Sequence, residues 1–171
     1  MLRLISCLAA AALVVAFAWA NWPAAGVGGG VRADLVVVKK SARVLELYAG
    51  DQLLKSYAVS LGRNPVGPKR AEGDERTPEG TYVLDSRKSD SAFHRALHVS
   101  YPSAADVAQA HASGVDPGGL IMVHGLPNGL GFLGKLHRLA DWTDGCVAVT
   151  NAEIDEIWQV VADGTPIKIE P

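Results

Sequence analysis

Cys146 stands in the run Asp141-Trp142-Thr143-Asp144-Gly145-Cys146-Val147, and His124-Gly125 closes an apolar run upstream of it. A thiol, an imidazole and a glycine-flanked loop are the parts of a cysteine acyl-transfer site. A free thiol titrates near 8.5, so little of it is thiolate at neutral pH, and a neighbouring imidazole can take the proton. His124 is the candidate base because a strand end is a rigid mount. Gly125 lets the chain turn there, and its carbonyl can orient the imidazole through the far ring nitrogen. Gly145 allows close approach of the backbone to a substrate. Backbone N–H groups around Gly145 and Cys146 can stabilise an oxyanion. The alternative is an inert core thiol and a structural histidine, the commoner fate of both residue types.

Export weighs against that alternative. The second of the two cysteines, Cys7, lies in a segment that reads as a signal peptide over residues 1–20. Arg3 supplies the positive start, Leu4 to Phe17 is uncharged and apolar, and Ala18-Trp19-Ala20 fits a small-x-small cleavage site. Cleavage after Ala20 is expected. An uncleaved membrane anchor is the rival, although the run is shorter than the ~20 residues a spanning helix wants. Leu4-Ile5-Ser6-Cys7 resembles a lipoprotein signal only faintly, with almost no apolar stretch before it. Once exported, Cys146 has no intramolecular partner in a compartment that oxidises thiols, so its retention points to use.

Loss of Arg3 with the leader makes the remainder one unit more negative than the −2 of the full chain. There is no basic stripe, which argues against nucleic acid as a partner. Residues 21–33 are rich in Pro, Gly and Ala and read as a flexible lead-in. Residues 34–171 are long enough for one domain with a real core.

The elements that must hold the two residues read as mostly β. Asp34–Val38, Arg43–Tyr48 and Gln52–Leu61 look like consecutive antiparallel strands. A charged Pro/Gly loop follows over residues 62–78. Gly80–Asp85 and Ala96–Ser100 are further strands, and Leu120–Val123 reads as a strand buried on both faces. Ser103 caps one short helix that ends by Gly114, and Thr150-x-x-Glu153 is a capping box for a second that ends at Gly164. Pro127–Gly134 is a Gly-rich loop, and Ile167–Ile169 a last strand. The fold class is therefore α+β, mostly β, with two short helices.

These residues resemble a known family. His124-Gly125 followed by Thr143-x-Gly145-Cys146 is similar to the signature of the YkuD-type L,D-transpeptidase domain, and the motif wording looks like its YafK-like branch. Thr77-Pro78-Glu79-Gly80-Thr81-Tyr82 and Gly164-Thr165-Pro166-Ile167 resemble two further family segments, so the likeness covers about residues 34 to 170. It implies a sandwich-like or barrel-like β domain in the periplasm. It implies Cys146 as nucleophile, His124 as base and Gly125 as orienter, acting on peptidoglycan stem peptides. The cysteine attacks the carbonyl before a terminal D-alanine and forms a thioacyl-enzyme, which an amine resolves. No cofactor is implied. An outer-membrane lipoprotein is a conceivable acceptor or substrate.

Two departures stand out. The family usually has Arg or Asn two residues after the cysteine, where this chain has Ala148. It often has His where this chain has Asp144, and an acid beside a thiol disfavours thiolate unless it points away or is paired. Gly145, Asp144, Thr143, Tyr101 and His98 are the expected substrate contacts. The 124–146 loop also looks somewhat long, and its Gly129, Gly131 and Gly134 suggest either a mobile flap over the cleft or a plain surface loop, with His137 and Arg138 as solvated surface and Trp142 as a cleft wall or a packing residue of the loop. His94 and His98 are four apart in an extended stretch, so no metal site is expected. Two rival functions remain: a hydrolase of the same fold that uses water as acceptor, and a non-catalytic peptidoglycan-binding module.

Overall fold

The computed structural model describes residues 2–23 and 25–171; the side chains of residues 2–7, 9 and 10, Cys7 among them, lie outside the description. Three helices and eight strands follow in the order α1 (Leu2–Ala20), β1 (Leu35–Lys39), β2 (Val44–Ala49), β3 (Gln52–Ala58), β4 (Gly80–Ser91), β5 (His94–Val99), α2 (Ala104–Ala112), β6 (Met122–His124), β7 (Val147–Ala148), α3 (Asn151–Val160) and β8 (Thr165–Glu170). A 3₁₀ helix over Gly131–Leu139 lies between β6 and β7. Among the described residues no helix is long and apolar enough to cross a membrane.

All eight strands form one sheet in the order β3-β2-β1-β8-β4-β5-β6-β7. The first three pair antiparallel as expected, and β8 inserts parallel to β1 and antiparallel to β4. The sheet then curls until its ends meet. Ser60, just past β3, exchanges both backbone hydrogen bonds with Ala148 of β7 at 3.0 and 2.8 Å. Alternation sends Val36, Leu45, Leu97, Val123, Val147 and Ile167 into the core. Each of the two short helices carries the capping box its sequence calls for, Ser103 with Asp106 and Thr150 with Glu153. On α3, Ile154 and Ile157 fall on the buried face.

Three elements differ from the sequence reading. The strand expected over Leu120–Val123 begins only at Met122, and Leu120 is 76 % exposed with φ +56°. The ladder to β5 starts at Met122, opposite His98, so Leu120 lies outside it. Strand β4 runs on to Ser91 rather than stopping at Asp85, because its polar outer half pairs with β5 as a hairpin arm with little apolar patterning. The Gly-rich flap is largely the 3₁₀ helix, kinked at Gly134 (φ +47°). A Cβ at Gly134 would sit 2.4 Å from the carbonyl of Ala20, where α1 ends against this segment.

Candidate active site

His124 ends β6 and Cys146 immediately precedes the neighbouring β7, and both line one cleft of about 490 Å³. Parallel pairing of β6 with β7 sets Val123 beside Val147 and His124 beside Ala148. Core and outer positions alternate, so Val123 and Val147 point inward while His124 and Ala148 share the outer face. The Cys146 sulfur accepts the N–H of Met122 at 3.4 Å and lies 3.7 Å from the carbonyl of Leu120.

His124 is 3 % exposed, and its Nδ1 lies 2.6 Å from the carbonyl of Gly125. A carbonyl only accepts, so Nδ1 carries the proton and Nε2 is left with its lone pair free. This is the geometry that the orienting role expected of Gly125 would need. Gly125 is also sterically required, since a Cβ there would meet Asn151 Oδ1 at 2.8 Å. Burial pushes the His124 imidazole toward its neutral form, with the Gly125 carbonyl opposing. Burial likewise pushes the Cys146 thiol up; the Met122 N–H pulls it down and Asp144 pushes it further up. Both directions favour a neutral thiol–imidazole pair in the resting molecule.

Thr143 builds the turn that delivers the cysteine. Its hydroxyl donates to the Cys146 carbonyl at 2.8 Å and accepts the Gly145 N–H at 3.2 Å. The Gly145 N–H is therefore occupied and is not a free oxyanion donor, a correction to the expectation for it. Among the described residues the Cys146 N–H has no intramolecular acceptor. Gly145 has φ +131°, and a Cβ there would lie 2.6 Å from the carbonyl of Arg76. Asp144 turns outward to an ion pair with Arg63, which also pairs with Glu75 at 3.0 Å. The acid beside the thiol is thus partly compensated by a cation that the sequence reading passed over.

Two expected substrate contacts lie elsewhere. Tyr101 is buried, its hydroxyl donating to the Pro117 carbonyl at 3.0 Å, so it braces the loop that leads to Leu120. His98 shares the outer face of β5 with Ala96 but is drawn away by Asp85 at 2.7 Å, and the cleft ends at Ala96 and Lys88. His94 pairs with a different acid, Asp155, at 2.9 Å. Among the described residues no group of three or more His, Cys, Asp or Glu side chains could hold a metal.

Aromatic residues shape the rest of the cleft. Phe93, at the tip of the β4–β5 hairpin, lies 4.6 Å from the His124 ring between centroids. Trp142 meets His124 edge-on at 5.7 Å and lies stacked with Phe93 at 6.2 Å. Trp142 does wall the cleft, whereas Phe93 carries no local signal: it arrives through the long polar hairpin. His137 and Arg138 are not solvated surface. His137 is 8 % exposed, and Arg138 pairs with Glu153 at 2.5 Å.

Comparison with known proteins agrees with this geometry. The YkuD family model, the L,D-transpeptidase catalytic domain, matches residues 33–169. The "Putative L,D-transpeptidase YafK" of Escherichia coli K12 is 33 % identical over 132 residues, which is 74 % of this chain and 46 % of that protein. The chain therefore spans about half the length of the curated relatives it matches. Among solved structures, the helical cell shape determining protein Pgp2 of Campylobacter jejuni superposes with a TM-score of 0.63 at 23 % identity, covering 91 % of this chain and 54 % of that one. An L,D-transpeptidase of Mycobacterium smegmatis gives 0.52 at 18 % identity, covering 81 % and 59 %. At these identities the structural likeness shows a shared, mostly β fold. The chain belongs to the YkuD L,D-transpeptidase catalytic domain family.

Proposed function

We infer that the protein is a cysteine acyltransferase that cuts peptidoglycan stem peptides before a terminal D-alanine. The observation that carries this is that His124 and Cys146 line one cleft, with His124 Nδ1 tied to the Gly125 carbonyl at 2.6 Å so that Nε2 keeps its lone pair. The Cys146 sulfur bonds to the donor carbonyl carbon as its proton passes to His124 Nε2. The tetrahedral oxyanion collapses, the C–N bond breaks, and D-alanine leaves with the proton returned by the imidazolium. An acceptor amine then attacks the thioester and gives its proton to Nε2, and the sulfur departs and is reprotonated. The Cys146 N–H is the available oxyanion donor.

Family membership supports a peptidoglycan substrate, and the signal-like start of the chain supports a periplasmic site of action. Thr143 and Asp144 at the cleft rim remain the proposed donor contacts, with Gly145 giving the backbone room.

Incubation with a carbapenem should yield one covalent adduct on Cys146 by mass spectrometry, lost in Cys146→Ala. An adduct of equal yield on the variant would sink the assignment. Digestion of sacculi then separates the outcomes. New diamino-acid cross-links indicate transfer; their loss, or release of a bound lipoprotein, indicates water as acceptor. Unchanged muropeptides with retained sacculus binding indicate a non-catalytic module.

A further inference from the structure

His124, Ala148 and Ser60 form a row on the outer face of the seam. Parallel register places His124 beside Ala148, and the antiparallel bridge places Ser60 opposite Ala148. Side chains directly opposite one another project to the same face. The middle member is a methyl group with no exposed surface, so it offers the base no polar partner. Above this row lies His137. The Ser60 hydroxyl lies 3.1 Å from both its Nδ1 and its carbonyl, and the Trp142 indole N–H reaches the same Nδ1 at 3.4 Å. Trp142 in turn sits edge-on to His124.

We propose that His137 is a positioning residue of the acyl-transfer site, holding Trp142 against the His124 ring through an unprotonated Nδ1. The indole partner requires that state, with the single Ser60 hydroxyl proton shared between Nδ1 and the His137 carbonyl. An indole N–H can only donate, so Nδ1 must present a lone pair. The tautomer is then the one protonated at Nε2, and that atom is buried without a partner. An orphaned buried donor is costly, and here it accompanies the only ring state that keeps Nδ1 an acceptor. Burial, reinforced by the Arg138 charge, pushes His137 down to about 4, which keeps the ring neutral across the ordinary working range. Among these contacts it is His137 Nδ1 that links the 3₁₀ segment to Trp142 at the cleft wall.

The inference rests on Cys146 and His124 acting together, and its test does not need peptidoglycan. The rate of Cys146 alkylation by iodoacetamide reports the thiol–imidazole pair, and the Trp142 indole N–H resonance reports the hydrogen bond. His137→Asn keeps an acceptor oxygen near the Nδ1 position; His137→Leu keeps apolar bulk without one. The Asn variant should retain the indole shift and a rate within about threefold, while Leu should lose the shift and slow roughly tenfold. Trp142→Phe, which removes the donor along with part of the ring, should slow alkylation at least as much as Leu does, and the His137→Leu/Trp142→Phe pair should be no slower than Trp142→Phe alone. A Leu variant that outperforms Asn, or a Trp142→Phe protein that reacts like wild type, overturns the proposal and leaves His137 as packing. Absence of a carbapenem adduct on wild-type protein would instead defeat the functional reading while leaving these rates interpretable.

Discussion

Losing its hydration shell and gaining the Met122 N–H pull the Cys146 thiol in opposite directions, and burial wins. Alkylation of free enzyme should therefore rise with pH through a midpoint above that of an ordinary thiol. Asp144 adds to the upward push, and Arg63 is partly spent on neutralising it. Asp144→Asn removes the repulsion and frees the guanidinium, so a pH–rate profile should show the midpoint moved downward; an upward move would contradict the arrangement. Gly145→Ala forces a Cβ to 2.6 Å from the Arg76 carbonyl at φ +131°, and should slow carbapenem acylation at least tenfold without unfolding the domain. Cys146, His124 and Gly125 were legible in the sequence because their motifs are local, His124-Gly125 and Thr143-x-Gly145-Cys146, although the pairing of β6 with β7 is what brings the two motifs together. Phe93 and Arg63 were not, because each reaches the cleft from a segment whose course depends on tertiary pairing. Tyr101 misled for the opposite reason: a tyrosine near a strand end has the right chemistry, but its hydroxyl is spent on Pro117.

The 62–78 loop looks irregular in sequence, yet it is built around two buried groups. The Lys40 ammonium reaches the Gly67 carbonyl at 2.6 Å, the Thr77 carbonyl at 2.9 Å and Glu79 at 2.8 Å, while the Thr77 hydroxyl accepts the Gly62 N–H. Lys40→Met leaves Glu79 and two carbonyls without this partner, and should cost about 3 kcal/mol, read as a melting temperature lower by roughly 10 °C. Asp74 gathers the other half of the loop. Burial alone would raise its carboxyl, but the N–H groups of Arg70, Ala71 and Arg76 together with Lys69 outweigh it and hold the group low. Its folded value lies below the unfolded one, so this contribution is fully present above the ordinary carboxylate range. It is lost as pH falls through the folded value. Asp74→Asn should flatten that acid limb in melting curves recorded against pH. Composition marked this stretch as a loop; its order comes from Lys40, which lies far back in the chain at the end of β1.

At the scale of the molecule, strand types were readable from alternation, and both helices from their caps. The closure was not, since nothing in Ser60 or Ala148 announces that they pair across the ends of the sheet. The N-terminal helix α1 meets the rest of the domain mainly through the 3₁₀ segment, where Ala20 is buried and Asn21 donates to the Phe132 carbonyl at 3.1 Å. Protein lacking residues 1–20 should therefore fold and melt within a few degrees of the full chain. A collapse of the melting transition would show α1 to be structural.

The seam has a consequence for timing. Ser60 and Ala148 lie far apart along the chain, and the strand between the nucleophile turn and α3 is only two residues long. Such a strand has no stability of its own, and long-range pairings are among the last to form. Cys146 and His124 are set side by side only when the two-residue β7 has paired with β6, and the bridge to Ser60 then holds that strand from its other side. A half-folded chain thus carries the thiol without the imidazole beside it, and the onset of Cys146 reactivity is a clock for completed folding.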